Sequence, residues 1–212
     1  MKIVLVFLVL LILPSCELDY SETAEERTER IHRNEEGVER EHFIRGFYEV
    51  AETDKLRAIS MIDARLKKED DISFIKKLHF YKGDLLYQMD SAEQAVTEFN
   101  RSFPTTSLIH PGPLVARAGA YIKLKRYHEA SKDIEAAISV NNSYLWNLGN
   151  YYEVVKKKDS AIYYYNKLYL DDTIVYRYCR DRIEELKSPE TKLFTELVFR
   201  DRKRFVLIIN RY

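Results

Sequence analysis

The stretch AGAYIKLKRYHEASKDIEAA, residues 118–137, decides the fold. Ala118, Tyr121, Leu124, Tyr127, Ala130, Ile134 and Ala137 fall three or four positions apart along it. An α-helix turns every 3.6 residues, so this spacing draws one buried stripe along a pair of helices. Ala118 and Ala130 supply small side chains where the two helices cross closely, and Tyr121 and Tyr127 fill the wedge beside them. The pattern recurs. Gly83, Ala95 and Phe99 repeat it 35 residues upstream, and Gly149, Ala161 and Tyr165 repeat it 31 residues downstream. A degenerate copy, Gly46, Ala58 and Ile62, lies further upstream.

A helix–turn–helix unit of this length, with a small residue midway along helix A, another early in helix B and a large residue four later, resembles the tetratricopeptide repeat. The resemblance implies an all-α chain whose antiparallel helix pairs stack into a right-handed superhelix with C-terminal capping helices. The array spans residues 41–187. Its copies cover 39–75, 76–110, 111–141 and 142–175, with a further helix at 174–186. The step from the second copy to the third is short, so residues 140–143 must turn tightly. Ser188 as an N-cap and Pro189 in the first turn predict a capping helix over 188–212, with Leu193, Leu197, Val198, Phe205 and Ile208 on its apolar face. Arg200, Arg202, Lys203 and Arg204 would form its polar face.

The N-terminus reads as an address. Lys2 precedes the unbroken apolar run of residues 3–13, long enough for a signal peptide and too short to cross a bilayer. It ends in Leu13-Pro14-Ser15-Cys16, which resembles a bacterial lipobox with Pro14 as a departure. The resemblance implies removal of residues 1–15, acylation at Cys16 and a membrane held through acyl chains. Glu17 in place of Asp then implies the periplasmic face of an outer membrane, with surface exposure as the alternative. Residues 16–40 carry almost no large apolar side chains and read as a tether or solvated helix, which the capping-box spacing of Thr23 and Glu26 would start near residue 24.

Composition narrows the function classes. The 34 basic and 34 acidic residues balance, which argues against nucleic acid as partner. The 16 tyrosines suit half-buried surfaces and recognition grooves. With Cys16 assigned, Cys179 stands alone and reads as a small buried hydrophobe. His32, His42, His79, His110 and His128 show no metal-ligand spacing, and no phosphate loop or nucleophile elbow appears. Glu69, Asp70 and Asp71 read as a solvated turn. No metal, cofactor or catalytic group is expected.

In the repeat family the A helices line a concave groove. Carried onto this chain, the groove positions are Lys77, Phe80, Asp84, Tyr87 and Gln88, then Val115, Ala116, Gly119, Ile122 and Lys123, then Trp146, Asn147, Asn150, Glu153 and Val154. The small residues of the second copy would make the groove deep at its middle. The clamp with which chaperone-binding members hold a C-terminal carboxylate has no counterpart at Phe80, Asp84, Ala116, Ser143 and Asn147. These features together point to an envelope adaptor that binds a protein or peptide, similar in architecture to repeat-bearing pilotins and assembly scaffolds. An inhibitor or immunity lipoprotein acting against a toxic enzyme is the alternative.

Overall fold

The computed structural model describes residues 23–103, 111–168 and 174–197, and every regular element among them is helical. The chain divides into two units, residues 1–46 and 47–212. The described part of the first unit is the opening of α1 (Ala24–Thr53), which starts on a capping box. The Thr23 hydroxyl accepts from the Glu26 N–H at 3.1 Å, and the Glu26 carboxylate accepts from the Thr23 N–H at 2.7 Å. Most side chains before Gly46 are exposed, as the polar composition requires. Residues 16–22 lie outside the described residues.

The second unit holds α2 (Lys55–Leu66) and three helical hairpins. These are α3 (Ile72–Gln88) with α4 (Ala92–Ser102), α5 (Pro111–Lys123) with α6 (Tyr127–Val140), and α7 (Leu145–Val154) with α8 (Lys158–Lys167). Helix α9 (Ile174–Lys187) follows. Inside each hairpin the repeated small and large residues meet. A Cβ added at Gly83 would lie 2.8 Å from the Phe99 ring, and one at Gly149 would lie 2.5 Å from the Tyr165 ring. Ala118 faces the same position with a branched aliphatic partner, Ile134, and both are fully buried. Bulk lost on one helix is thus returned on the other, and the helix spacing is kept. An ion pair also crosses two of the hairpins at equivalent places. Lys82 lies 3.6 Å from Glu98, and Arg117 grips Asp133 through two bonds of 2.7 and 2.6 Å.

All three A–B turns share one backbone design. Asp90, Lys125 and Lys156 take φ of 59°, 60° and 62°. Each is followed by a residue whose N–H reaches back to the A helix: Ser91 to Leu86 at 2.9 Å, Arg126 to Tyr121 at 2.8 Å and Lys157 to Tyr152 at 2.8 Å. This is the Schellman motif, made here without glycine although side chains disfavour the left-handed region. Good backbone bonding at the turn offsets that strain.

Several expectations are corrected. A Cβ at Gly46 meets nothing within 4 Å, so Gly46 is not a close-crossing residue, although Ala58 and Ile62 are fully buried as the degenerate copy requires. The turn before α2 also differs: Asp54 sits at φ −143° and caps α2 by accepting from Arg57 N–H at 2.9 Å. The acidic run is only partly solvated. Glu69 is 9 % exposed and bonded to Arg65, and Asp71 is the N-cap of α3. The tight step expected before the third repeat is present, as a 3₁₀ turn, Asn142–Tyr144, set by the Asn141 side chain accepting from Ser143 N–H at 2.9 Å.

The largest correction is at the C-terminus. Residues 188–197 do not form the expected helix, and 198–212 lie outside the described residues. Ser188 to Thr191 make a turn, with the Thr191 N–H 3.4 Å from the Ser188 carbonyl. Proline presets the backbone as well for the second position of a turn as for the first turn of a helix. A non-helical chain, bent at Thr195 and Glu196, then sends Leu193 into one core cluster and Leu197 into another, which a helix would not do because it stacks residues four apart on one face.

The crossing geometry is testable. Overpacking a filled site costs about 1–3 kcal/mol, against about 1 kcal/mol gained when Gly becomes Ala in a helix. Gly149→Ala should therefore lower the urea midpoint read by far-UV circular dichroism, and Gly46→Ala should raise it. A Gly149→Ala protein as stable as the wild type would overturn the close-crossing account.

Candidate functional site

The groove positions taken from the sequence divide by burial. Lys77 and Gln88 are exposed, and Phe80, Asp84, Lys123 and Trp146 are half-buried. Tyr87, Asn147, Asn150 and Glu153 are interior, at 7, 3, 0 and 0 % exposure. Val115, Ala116 and Ile122 are each 4 % exposed, so the depth expected over the small residues of the second repeat is already filled.

Many of these side chains are engaged by contacts within and between the repeats. Phe80 leans on Phe99 with ring centroids 5.9 Å apart. The Lys123 ammonium donates to the Tyr87 carbonyl at 3.0 Å and to Asp90 at 2.5 Å, and sits 4.2 Å above the Tyr87 ring. This one cation joins the end of α5 to the preceding turn, and its bond and charge hold the Asp90 carboxyl below the usual carboxylate range. The Gln88 amide donates to Asp84 at 2.9 Å. Trp146 meets Tyr178 edge-on at 5.7 Å, and the Tyr178 hydroxyl donates to Asn150 at 3.2 Å.

Glu153 is the hub. Its carboxylate, at the end of α7, has no exposed surface and accepts from four groups. The Tyr165 hydroxyl lies at 2.8 Å, Arg182 Nε at 3.0 Å, an Arg182 terminal nitrogen at 2.5 Å and the Phe194 backbone N–H at 3.4 Å. Arg182, 7 % exposed, also bonds Glu185 and donates to the Lys192 carbonyl at 2.9 Å. The Phe194 ring covers the guanidinium, with 4.0 Å between the guanidinium carbon and the ring centroid. Burial works against the Arg182 cation, but the bonds and charges of Glu153 and Glu185 outweigh it and hold the pKa above the usual arginine range. Burial, with help from Tyr178 and Glu153, also keeps the Tyr165 phenol neutral.

Residues 191–197 therefore run from the end of α9 across the C-terminal ends of the A helices. Phe194 touches Glu153 at the end of α7. Leu197, 2 % exposed, joins the cluster of Ala118 and Ile122 on α5 with Leu145, Leu148 and Val154 on α7. Beyond it lies a cleft of about 740 Å³ between the first A–B turn, Lys123 and Leu124, and the segment's own Thr195 and Glu196.

Arg182, Phe194 and Leu197 were not legible as part of this site. The sequence pattern places Phe194 and Leu197 within the capping helix expected over 188–212, and Arg182 lies among many charged residues. Cys179 is 1 % exposed with its thiol pushed up to about 12 by burial, which makes it an inert packing group, not a nucleophile. Cys16 lies outside the described residues. Among those residues no group of three or more His, Cys, Asp or Glu converges to hold a metal ion, and no helix is long and apolar enough to cross a membrane.

No family model matches the chain, and no curated protein matches it in sequence. Among solved structures it is similar to the crystal structure of a tetratricopeptide repeat protein from Parabacteroides merdae, at 17 % identity and a TM-score of 0.55. The alignment covers 70 % of this chain and 60 % of that one. At that identity the likeness shows the fold: the hairpins form a tetratricopeptide-like array.

Truncating Glu153 to Ala would leave the buried Arg182 with only the exposed Glu185 as charge partner, and losing one member of a buried pair costs up to about 3–5 kcal/mol. Glu153→Ala should lower the thermal midpoint sharply, and Lys77→Ala on the exposed side of α3 should leave it nearly unchanged. Equal midpoints for the two variants would remove Glu153 from its central role.

Proposed function

We propose that the chain is a membrane-anchored protein–protein interaction module, an envelope adaptor held through acylated Cys16, whose repeat array binds a segment of another protein. The observation that carries the reading is the repeat fold itself, three stacked helical hairpins in an architecture that typically serves as a non-catalytic interaction scaffold. The side chains left accessible on the groove side suit recognition. Lys77, Gln88 and half-buried Phe80, Asp84, Lys123 and Trp146 mix apolar surface with donors and acceptors. The interior positions support the binding surface, and the partner meets the accessible ones.

Anchoring serves this role by mass action. A lipid chain contributes about 0.8 kcal/mol per buried CH₂, so several chains confine the array to one surface and raise its local concentration there. The supporting sequence is the apolar run at residues 3–13 with Leu13-Pro14-Ser15-Cys16 behind it.

Two measurements test the reading. Crosslinking from cell envelopes should recover a defined partner, and Trp146→Ala or Lys77→Glu should reduce that recovery severalfold in protein that keeps its helical signal. Undiminished recovery with both would refute the groove surface. Cys16→Ser should move the protein from the membrane to the soluble fraction, and continued retention at the membrane would refute the acyl anchor.

A further inference from the structure

We infer that residues 191–197 are a built-in ligand of the array. They occupy a track along the A-helix ends beside the accessible Lys123, and a partner segment extends onto that track by displacing them. The inference rests on the preceding reading of the array as a binding module.

Three observations carry it. The segment is held in the way a bound peptide is held, by backbone and by anchor side chains. The Lys192 carbonyl accepts from Arg182 at 2.9 Å, and the Phe194 N–H reaches Glu153 at 3.4 Å. Phe194 lies on the guanidinium, and Leu197 fills the apolar floor between α5 and α7. Glu153 and the apolar floor belong to repeats far back in the chain, and Arg182, on the preceding helix α9, joins the segment to them.

Second, its connection is simple. The turn at residues 188–191 separates it from α9, so the segment is tethered by a short hinge and competes at high effective concentration. Third, its grip is graded. The backbone bond to Glu153 is long, and Thr195 and Glu196 border the 740 Å³ cleft, which gives an incoming chain a place to enter beside Leu197. Release would leave both Glu153 and Arg182 in place, each still paired with the other and ready for the backbone of a replacement.

The seat also describes its ligand. A fitting partner presents a non-helical stretch that bends between an aromatic residue and a leucine three positions apart, as Phe194 and Leu197 are, with a free backbone carbonyl and N–H at the aromatic end. A helix is a poor match, because its interior carbonyl and N–H groups are already bonded to each other.

The test uses the full-length protein and a fluorescent peptide of residues 190–197, with a scrambled peptide as control. Phe194→Asp combined with Leu197→Asp evicts the resident segment and leaves the seat intact. The peptide should bind this variant and bind the wild type about 100-fold more weakly, as expected if the wild-type seat is free about 1 % of the time. A variant that keeps its helical circular dichroism and does not bind the peptide overturns the inference, and so does equal binding by the two proteins.

Wild-type protein gives a second measurement should the variant lose structure. Saturating peptide should speed hydrogen exchange at the protein's own Phe194 amide at least tenfold, and unchanged exchange overturns the inference. Crosslinking from envelopes separates the two readings. Greater recovery of the partner with the variant supports displacement, and equal recovery overturns it. Recovery with neither protein counts against the adaptor reading, while the peptide titration still decides the identity of the built-in ligand.

Discussion

The ring of Tyr165 fills the space that a side chain at position 149 would need, and much of the second unit is arranged around that contact. It fixes how closely α7 and α8 approach. With the ring seated, the Tyr165 hydroxyl arrives at Glu153. A carboxylate without exposed surface is tolerated only when paired and bonded on all sides. Arg182 of α9 supplies the charge, and its remaining donors reach Glu185 and the Lys192 carbonyl. A missing side chain in α7 is thereby connected, contact by contact, to the path of the chain after α9.

The other repeats apply the same steric rule with different chemistry. Gly83 accepts Phe99, and Ala118 stands opposite Ile134. What is kept is the combined volume at the crossing and the backbone bonding of the turn. Charge pairs vary. Glu98 gathers His79, Lys82 and Arg101, whereas Asp133 relies on Arg117. Such freedom explains how a chain with 17 % identity to another repeat protein keeps the fold. It also places the most polar junction, the one around Glu153, where the array meets its C-terminal segment.

Burial separates support from recognition along the A helices. Positions that the repeat family uses to face a ligand are here divided between inter-repeat contacts, such as Asn150 with Tyr178, and accessible side chains, such as Lys77 and Gln88. The apolar floor over Ala118 and Ile122 carries Leu197. The surface that an interaction module would offer is consequently defined by how residues 191–197 lie on it as much as by the helices.

The sequence by itself determined the three helical hairpins, because a small residue, a second one twelve later and a large one sixteen later suit two helices crossing closely, as they do from Gly83, Ala118 and Gly149 though not from Gly46. It also determined the capping box at Thr23 and the tight step at Asn141, since both depend on side chains bonding within a few residues of themselves. The tertiary structure decided what local rules leave open. Non-glycine residues hold the left-handed turn positions because the flanking helices impose the turn. Glu153 became a buried hub because α9 brought Arg182 to it. Ser188-Pro189 suits a helix start and a tight turn equally, and the choice fell to the turn because a non-helical Lys192–Leu197 reaches two apolar clusters and two backbone partners that one helical face cannot.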